Sequence, residues 1–458
     1  MIHALCSALR NLDVDYADIR FDDERKTKIS MSGSSVDQIA THRPCGGHVR
    51  AYVAGGKATS FFSRIEEARF IAEKTAAAAR ILASYQPGSI ALANVPTTRA
   101  SFAVSSSNDP RRASLCEKYE ILDHYNQMAL AVPDVQATQF TYADSFSHRG
   151  YANTDGTAVE YEHLITHILG SFVARRGNTV QRGFFSVGGS SDFGLLINRE
   201  EALRRSLGEL DELLSSHPVK AGVLPIVLDP SGAAIFIHEA FGHRSEADTL
   251  QQNAMLREKL LLGSPIGSPI LNVWDDPTIP NHGGSYPIDD EGVLAARTGL
   301  VVDGRINGRL HSRETAAAFG ESVTGNCRAS EAGYGPIVRM SNTVIEDGCS
   351  SIEDMITSID NGLYVAGGSG GQGGVDFTIG ARWARRIRNG KLAEMVSDVN
   401  LSGNLFSTLK AISMIGNDGQ MLEYCDCGKS SSDGLQMISR ICAGAPHIKI
   451  DAATIGGL

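Results

Sequence analysis

His238, Glu239 and His243 lie together in the segment Ile237-His238-Glu239-Ala240-Phe241-Gly242-His243. Imidazole is the commonest metal ligand, and a carboxylate next to a metal site can take a proton from water. Two imidazoles around one carboxylate are therefore a donor set suited to a metal-dependent hydrolase. The spacing sets a condition. Histidines at i and i+4 share a helix face, whereas these stand at i and i+5, about 140° apart on a regular helix. They can meet at one metal only if the helix carries an extra residue, as in a π-bulge. The spacing thus predicts a helix irregularity between His238 and His243, with Gly242 as the residue that tolerates it. The apolar run Gly232 to Ile237 just before it reads as the start of a buried helix.

A catalytic zinc takes three protein ligands and keeps a fourth position open. Nearby candidates for the third are Glu246 and Asp248; distant ones are His282, Cys425, Cys427, Cys442 and His447. Residue chemistry alone leaves them all open. Cys427-Gly428-Lys429 has one recommendation: a neighbouring ammonium lowers a thiol pKa, and glycine leaves room.

The elements that must position these groups come from a chain of 458 residues, long enough for two domains and ample core. With 42% hydrophobic and 21% charged residues it has an ordinary globular composition. A net charge of -10 and the lack of a basic stripe argue against nucleic acid as a partner. The densest basic run, Arg382 to Arg388 beside Asn389-Gly390, reads as a solvated strand edge. No run of 18 apolar residues predicts a membrane span. Met1 to Arg10 reads as a first helix and not as a signal peptide. Eight cysteines without a framework of spacings point to reduced thiols and a cytoplasmic location.

Strands are expected at Tyr16 to Phe21, Lys26 to Ser34, Val135 to Ser145, Gly150 to Thr154 and Ala158 to Ala174. A hairpin is expected from His48 to Phe62 around Gly55-Gly56. Arg64 to Ser84, Ser114 to Val132 and Glu200 to Ser215 have helical spacing. A domain boundary is placed near Ser216, before the apolar strand Ala221 to Leu228. Further hairpins are read at Asp303-Gly304 and Asn389-Gly390. The fold expected is α+β: an N-terminal α/β domain, residues 1–216, and a strand-rich C-terminal domain, residues 217–458, that carries the metal-binding helix. The glycine-rich stretch Gly367 to Gly374 is either a flexible loop or a place where substrate backbone comes close.

The ordered set of motifs resembles the TldD/PmbA metallopeptidase family, also labelled modulators of DNA gyrase. His238-Glu239-Ala240-Phe241-Gly242-His243 is similar to its HExxxH signature. Ile288-Asp289-Asp290-Glu291-Gly292, Arg339-Met340-Ser341-Asn342-Thr343, Gly371-Gln372-Gly373-Gly374 and Ile415-Gly416-Asn417-Asp418 follow in the family's order. Cys427-Gly428-Lys429 resembles the Cys-Gly-Lys that carries the family's third zinc ligand. Asp426 stands where threonine is usual, and Ser430 to Gly434 lengthens the turn after that motif. Both histidines and the glutamate are intact, so the chain resembles the active members and not their metal-less paralogues.

The resemblance implies one Zn2+ per chain on His238, His243 and Cys427, with Glu239 as the general base. It implies a peptidase for unfolded or extended peptides, held by strand addition with Gly371, Gln372 and Gly373 near the substrate. It also implies a homodimer, or a heterodimer with a related TldD/PmbA-type subunit. The competing expectation is a non-catalytic peptide-binding or partner subunit whose metal is structural and closed by four protein ligands. Asp289, Asp290 and Glu291 are expected either in an acidic turn or as carboxylates behind the metal ligands, and Glu246 behind a ligand.

Overall fold

A computed structural model describes residues 1–85, 90–368, 371–372, 375–422 and 425–456. Among these residues, helices and sheets mix as expected for an α+β chain. The N-terminal sheet is built from β1 (Tyr16–Ser32), β2 (Ser35–His42), β3 (Cys45–Val53), β4 (Gly56–Phe62), β5 (Arg99–Phe102), β6 (Val135–Asn153), β7 (Ala158–Arg176) and β8 (Thr179–Ser190). Its path runs β4-β3-β1-β6-β7-β5, with β2 paired to β1 and β8 to β7. Where two strands were expected at Tyr16 to Ser34, and again at Val135 to Thr154, the chain forms one long strand each. β1 and β6 pair without interruption from Asp18↔Asn153 to Ser32↔Gln139, and that ladder holds the polar residues that seemed to break the pattern. β2 and β8 had no reading in the sequence; β2 is almost wholly exposed and has little hydrophobic pattern.

One face of this sheet is covered by helices. Ile2–Leu9 and Ala68–Ala83 cover one end, where Leu5, Ala72 and Ala76 meet Ala17, Ile19 and Phe21 of β1. Leu115–Leu130 and Glu200–Leu214 cover the other, where Leu122, Leu203 and Leu210 meet Ile29, Phe140, Tyr142 and Ile168. Leu115–Leu130 starts at a capping box: the Ser114 hydroxyl accepts from Glu117 N–H, and the Glu117 carboxylate accepts from Ser114 N–H at 2.7 Å.

Period-two alternation sends Asp18, Arg20 and Asp22 of β1, His48 and Arg50 of β3 and Arg149 of β6 to the opposite face. Those six side chains are buried as well, because the C-terminal half lies on them. Arg149 pairs with Asp22 at 2.6 Å and with Asp290 at 2.7 Å. Arg50 pairs with Asp18 and, at 2.8 Å, with Glu291. Asp290 and Glu291 thus anchor the two halves to each other. Asp289 shapes their turn, its carboxylate accepting the N–H groups of Glu291, Val293 and Cys327.

His48, 2% exposed, stacks near the Phe61 ring on this face. Burial, with Arg20, Arg50 and Lys57 close by, holds its imidazole well below the ordinary value. The unfolded chain takes up a proton on this residue below pH 6.5 and the folded chain does not, so stability is lost as pH falls through that value. Chemical denaturation between pH 7 and 5 should show the loss, and His48→Gln should reduce the slope by about 1.4 kcal/mol per pH unit. An unchanged slope would mean that other groups take up that proton.

In the C-terminal half, the order across one sheet is Gly371–Gln372, Asp376–Gly380, Asn400–Asn404, Ile448–Gly456, Gly222–Leu228, Asn361–Ala366, Trp383–Arg388, Lys391–Ser397 and His217–Pro218. The basic run expected at a sheet edge therefore lies inside the sheet. Its strand pairs on both sides, and Ala384 and Ile387 supply its buried face. The Asn389-Gly390 and Asp303-Gly304 turns have positive φ at both residues, as two-residue hairpins require. A second sheet runs Arg305–Ile306, Thr298–Val302, Val273–Asp275, Asn342–Ile345, Gly434–Ala445 and Gln420–Met421, with Cys425–Ser431 paired to Gly434–Ala445.

Helix Pro230–Ile237 is packed among these strands, its Ala233, Phe236 and Ile237 in one core with Leu228, Val365, Phe377 and Ala443. No helix among the described residues is long and apolar enough to cross a membrane.

Candidate metal centre

The site begins with the helix start. Asp229 caps Pro230–Ile237 by accepting Gly232 N–H at 2.6 Å, and Pro230 occupies the first turn, where no amide donor is needed. The same Asp229 oxygen accepts Gly367 N–H at 2.8 Å, which ties the glycine-rich stretch to the helix. The helix then widens. His238–Gly242 forms a π-helical turn, and His243 N–H donates to His238 C=O, an i to i−5 bond. The extra residue per turn brings the two imidazoles onto one side, with ring centroids 5.1 Å apart.

Gly242 has a different reason from the one expected. Its φ is −50°, ordinary for a helix. A Cβ there would stand 2.2 Å from the Met340 sulfur, so glycine is needed for close packing and not for backbone freedom.

Cys427 reaches the histidines from the strand Cys425–Ser431, 184 residues further along the chain, with Sγ 3.2 Å from His243 Nε2. Donor atoms of His238, His243 and Cys427 all lie within 4.8 Å of one another. His238 Nδ1 is buried with no hydrogen-bond partner among the described residues. Burial would push the Cys427 thiol up, but the hydrogen bonds and charges of His238 and His243 outweigh it and hold the thiol down to about 6. A buried thiolate with two imidazoles is a donor set that suits zinc, so the residues present fit that metal.

The groups behind the donors are well ordered. His243 Nδ1 meets Glu246 Oε2 at 3.2 Å, a carboxylate–imidazole pair of the kind that orients metal-ligating histidines. Lys429 does not act on the thiol as its sequence position suggests. Its ammonium pairs with Glu246 at 3.0 Å and Asp248 at 2.7 Å and donates to Val338 C=O. Arg339, fully buried, donates to Cys427 C=O at 2.9 Å and to Gln436 C=O at 3.2 Å, so it fixes both strands of the cysteine hairpin. The lengthened Ser430 to Gly434 segment closes as a tight hairpin, Ser431 pairing with Gly434.

Glu239 is half-buried, and burial lifts its carboxyl above the ordinary range while His243 and Arg244 pull it back. With His238 it lines a cavity of about 630 Å³. The opposite wall belongs to the N-terminal sheet: Lys28 of β1, Thr141 of β6, Leu169 of β7 and Phe184 of β8. Sequence reasoning missed this wall, and no local motif marks it.

The other candidates stand elsewhere. Cys442 Sγ donates to Leu422 C=O, and His447 lies between Asp418 and Tyr364. Asp289, Asp290 and Glu291 serve the junction between the halves. Asn342 donates to Asp276 C=O and Ser285. Gly371 and Gln372 form an edge strand paired with Asp376–Gly380, open on its outer side among the described residues. Gly373, Gly374 and the Cys425 side chain lie outside the described residues.

Three donors that could share a metal, beside a carboxylate that lines a cavity, fit a metal-dependent hydrolase architecture. The sequence profile of the PmbA/TldA metallopeptidase C-terminal domain matches residues 221–457, and that of the central domain matches residues 108–210. A metalloprotease of Synechocystis is 36% identical over 97% of this chain and 95% of its own length. One of Methanothermobacter thermautotrophicus is 35% identical over 97% and 96%. A protein named zinc metalloprotease TldD homolog from Saccharolobus solfataricus is 27% identical over 71% and 72%. The crystal structure of TldE from Thermococcus kodakarensis shares the fold with a TM-score of 0.78 at 20% identity, covering 97% of both chains. The chain belongs to the PmbA/TldD metallopeptidase family.

Proposed function

We propose that this chain is a zinc-dependent peptidase acting on unfolded or extended peptides, with one zinc held by His238, His243 and Cys427. The observation that carries the reading is the π-helical turn, which sets His238 and His243 against Cys427 and leaves Glu239 on the adjoining cavity. Zinc in such a site supplies Lewis acidity toward the scissile carbonyl and toward water. Glu239 takes the water's proton and returns it to the leaving amine, and its raised carboxyl pKa suits that exchange. Glu246 holds the His243 ring in place, and Lys429 and Arg339 hold Glu246 and the cysteine hairpin.

The open edge of Gly371–Gln372 is a place for an extended substrate to add as a strand. Folded proteins, whose backbones are already paired, should be poor substrates. The chain divides at Ser216 into units 1–216 and 217–458, and the exposed β2 is an edge through which a second copy or a related subunit could pair. The alternative of a structural metal predicts four closing protein ligands, whereas the cluster among the described residues holds three.

Metal analysis should find about one zinc per chain. His238→Ala, His243→Ala and Cys427→Ala should each lose most of it, and chelator should stop cleavage of an unfolded peptide. Full zinc retention in all three variants would place the metal elsewhere. Zinc bound with no cleavage of any peptide would favour the partner-subunit reading.

A further inference from the structure

The cavity beside Glu239 has a charge pattern that the cleavage chemistry does not use. Its two acids, Glu239 and Asp426, come from the segments that also carry the metal donors. Its two cations, Lys28 and Arg382, do not. Both are exposed, and neither forms an ion pair or a side-chain hydrogen bond among the described residues. The Arg382 guanidinium lies 5.9 Å from the centre of the Phe184 ring. Glu209 and Asp229 feel its charge without contacting it, and the Asp229 carboxylate is occupied by the N–H groups of Gly232 and Gly367.

Strand register places the two cations. Lys28 stands opposite Ala143, Thr141 opposite Leu169, and Leu169 opposite Ser186, all on the sheet face toward the metal helix. Lys28 on β1 lies in the row of Ala143, His167 and Gly188, and Phe184 on β8 four residues along from it, so three strand spacings across and four residues along set them about 20 Å apart. That is roughly the length of six residues of extended chain. The wall between them carries Thr141, Leu169, Ser171 and Ser186, hydroxyl groups and apolar surface without charge.

We propose that the cleft reads a carboxylate of its peptide, through Arg382 at one end and Lys28 at the other. This rests on the peptidase reading and adds the substrate class. A planar guanidinium with free donors accepts a carboxylate in a two-point contact, and a lysine adds attraction without fixed geometry. Leaving such a guanidinium solvated at the cleft wall, and not neutralised by the protein, reserves its donors for a ligand. The carboxylate comes either from the peptide's C-terminus or from an acidic side chain.

The test uses zinc-loaded full-length protein and four unstructured peptides of one sequence: neutral and amidated; neutral with a free C-terminus; amidated with one internal Glu; and amidated with Gln at that position. Cleavage is followed as kcat and KM, and binding is measured in parallel on Glu239→Gln. At low salt at least one carboxylate peptide should be favoured about tenfold over its amide counterpart, mainly through KM and binding. Arg382→Gln should collapse that ratio to below about twofold, and Lys28→Gln should reduce it. Preference for the free C-terminus alone assigns the α-carboxylate, and preference for Glu over Gln assigns the side chain. Equal binding and cleavage of all four peptides by the wild type overturns the proposal. So does a preference that survives in Arg382→Gln combined with Lys28→Gln. Absence of all cleavage would sink the peptidase reading alone, since the binding ratios still decide this one.

Discussion

Glu239→Gln should retain zinc and fold and lose about 10²–10⁴-fold in kcat on an unfolded peptide. The amide nearly matches the carboxylate in shape but cannot accept the water's proton. Burial lifts the Glu239 carboxyl above its ordinary value, which favours holding the proton until it passes to the leaving amine. His238, His243 and Cys427 keep their contacts in this variant, and zinc content should therefore match the wild type. Comparison at equal zinc isolates the proton step. Equal rates in the two proteins would remove Glu239 as the base and leave the metal site without an assigned proton acceptor.

Arg149→Met should destabilise the protein by about 3–5 kcal/mol. The Arg149 guanidinium, 3% exposed, is shared between Asp22 and Asp290, which are buried to a similar degree. Removing it leaves two buried carboxylates with only Arg20, 3.5 Å from Asp22 and 3.7 Å from Asp290, as their shared counter-charge. Asp22 belongs to the N-terminal sheet and Asp290 to the C-terminal half, so the repulsion acts across the contact between them. Chemical denaturation measures the loss. A change below about 1 kcal/mol would show that Arg20 by itself, or water, neutralises both carboxylates. Because the same sheet face walls the cavity, Arg149→Met should also raise KM for peptide more than it changes zinc content.

Part of the site was legible because it is local. His238 and His243 are five residues apart, and 3.6-residue geometry alone demands the extra residue that the π-helical turn supplies. Asp229-Pro230 at the helix start, and the Asn389-Gly390 and Asp303-Gly304 turns, follow from backbone preferences of single residues. Element boundaries failed where ladder pairing overrode local polarity, as in β1 and β6. Gly242 was read for its backbone, whereas contact with Met340 decides its identity.

The sequence by itself determined the helix that carries two imidazoles, its irregular turn, the carboxylate beside it and, through the order of its motifs, the family. Residue chemistry left the third donor open among seven groups. Only the tertiary structure brought Cys427 to His243, because contact across 184 residues depends on how strands pair and not on any local period. It also decided what the charged face of the N-terminal sheet is for. Alternation by two tells which residues share a face but not what covers it. A row of Asp, Arg and Lys side chains reads as solvated until the partner surface supplies opposite charges. Here that surface supplies Asp290 and Glu291 over one end of the face and the metal helix over the other. One strand face is thereby both the joint between the halves and the far wall of the cavity.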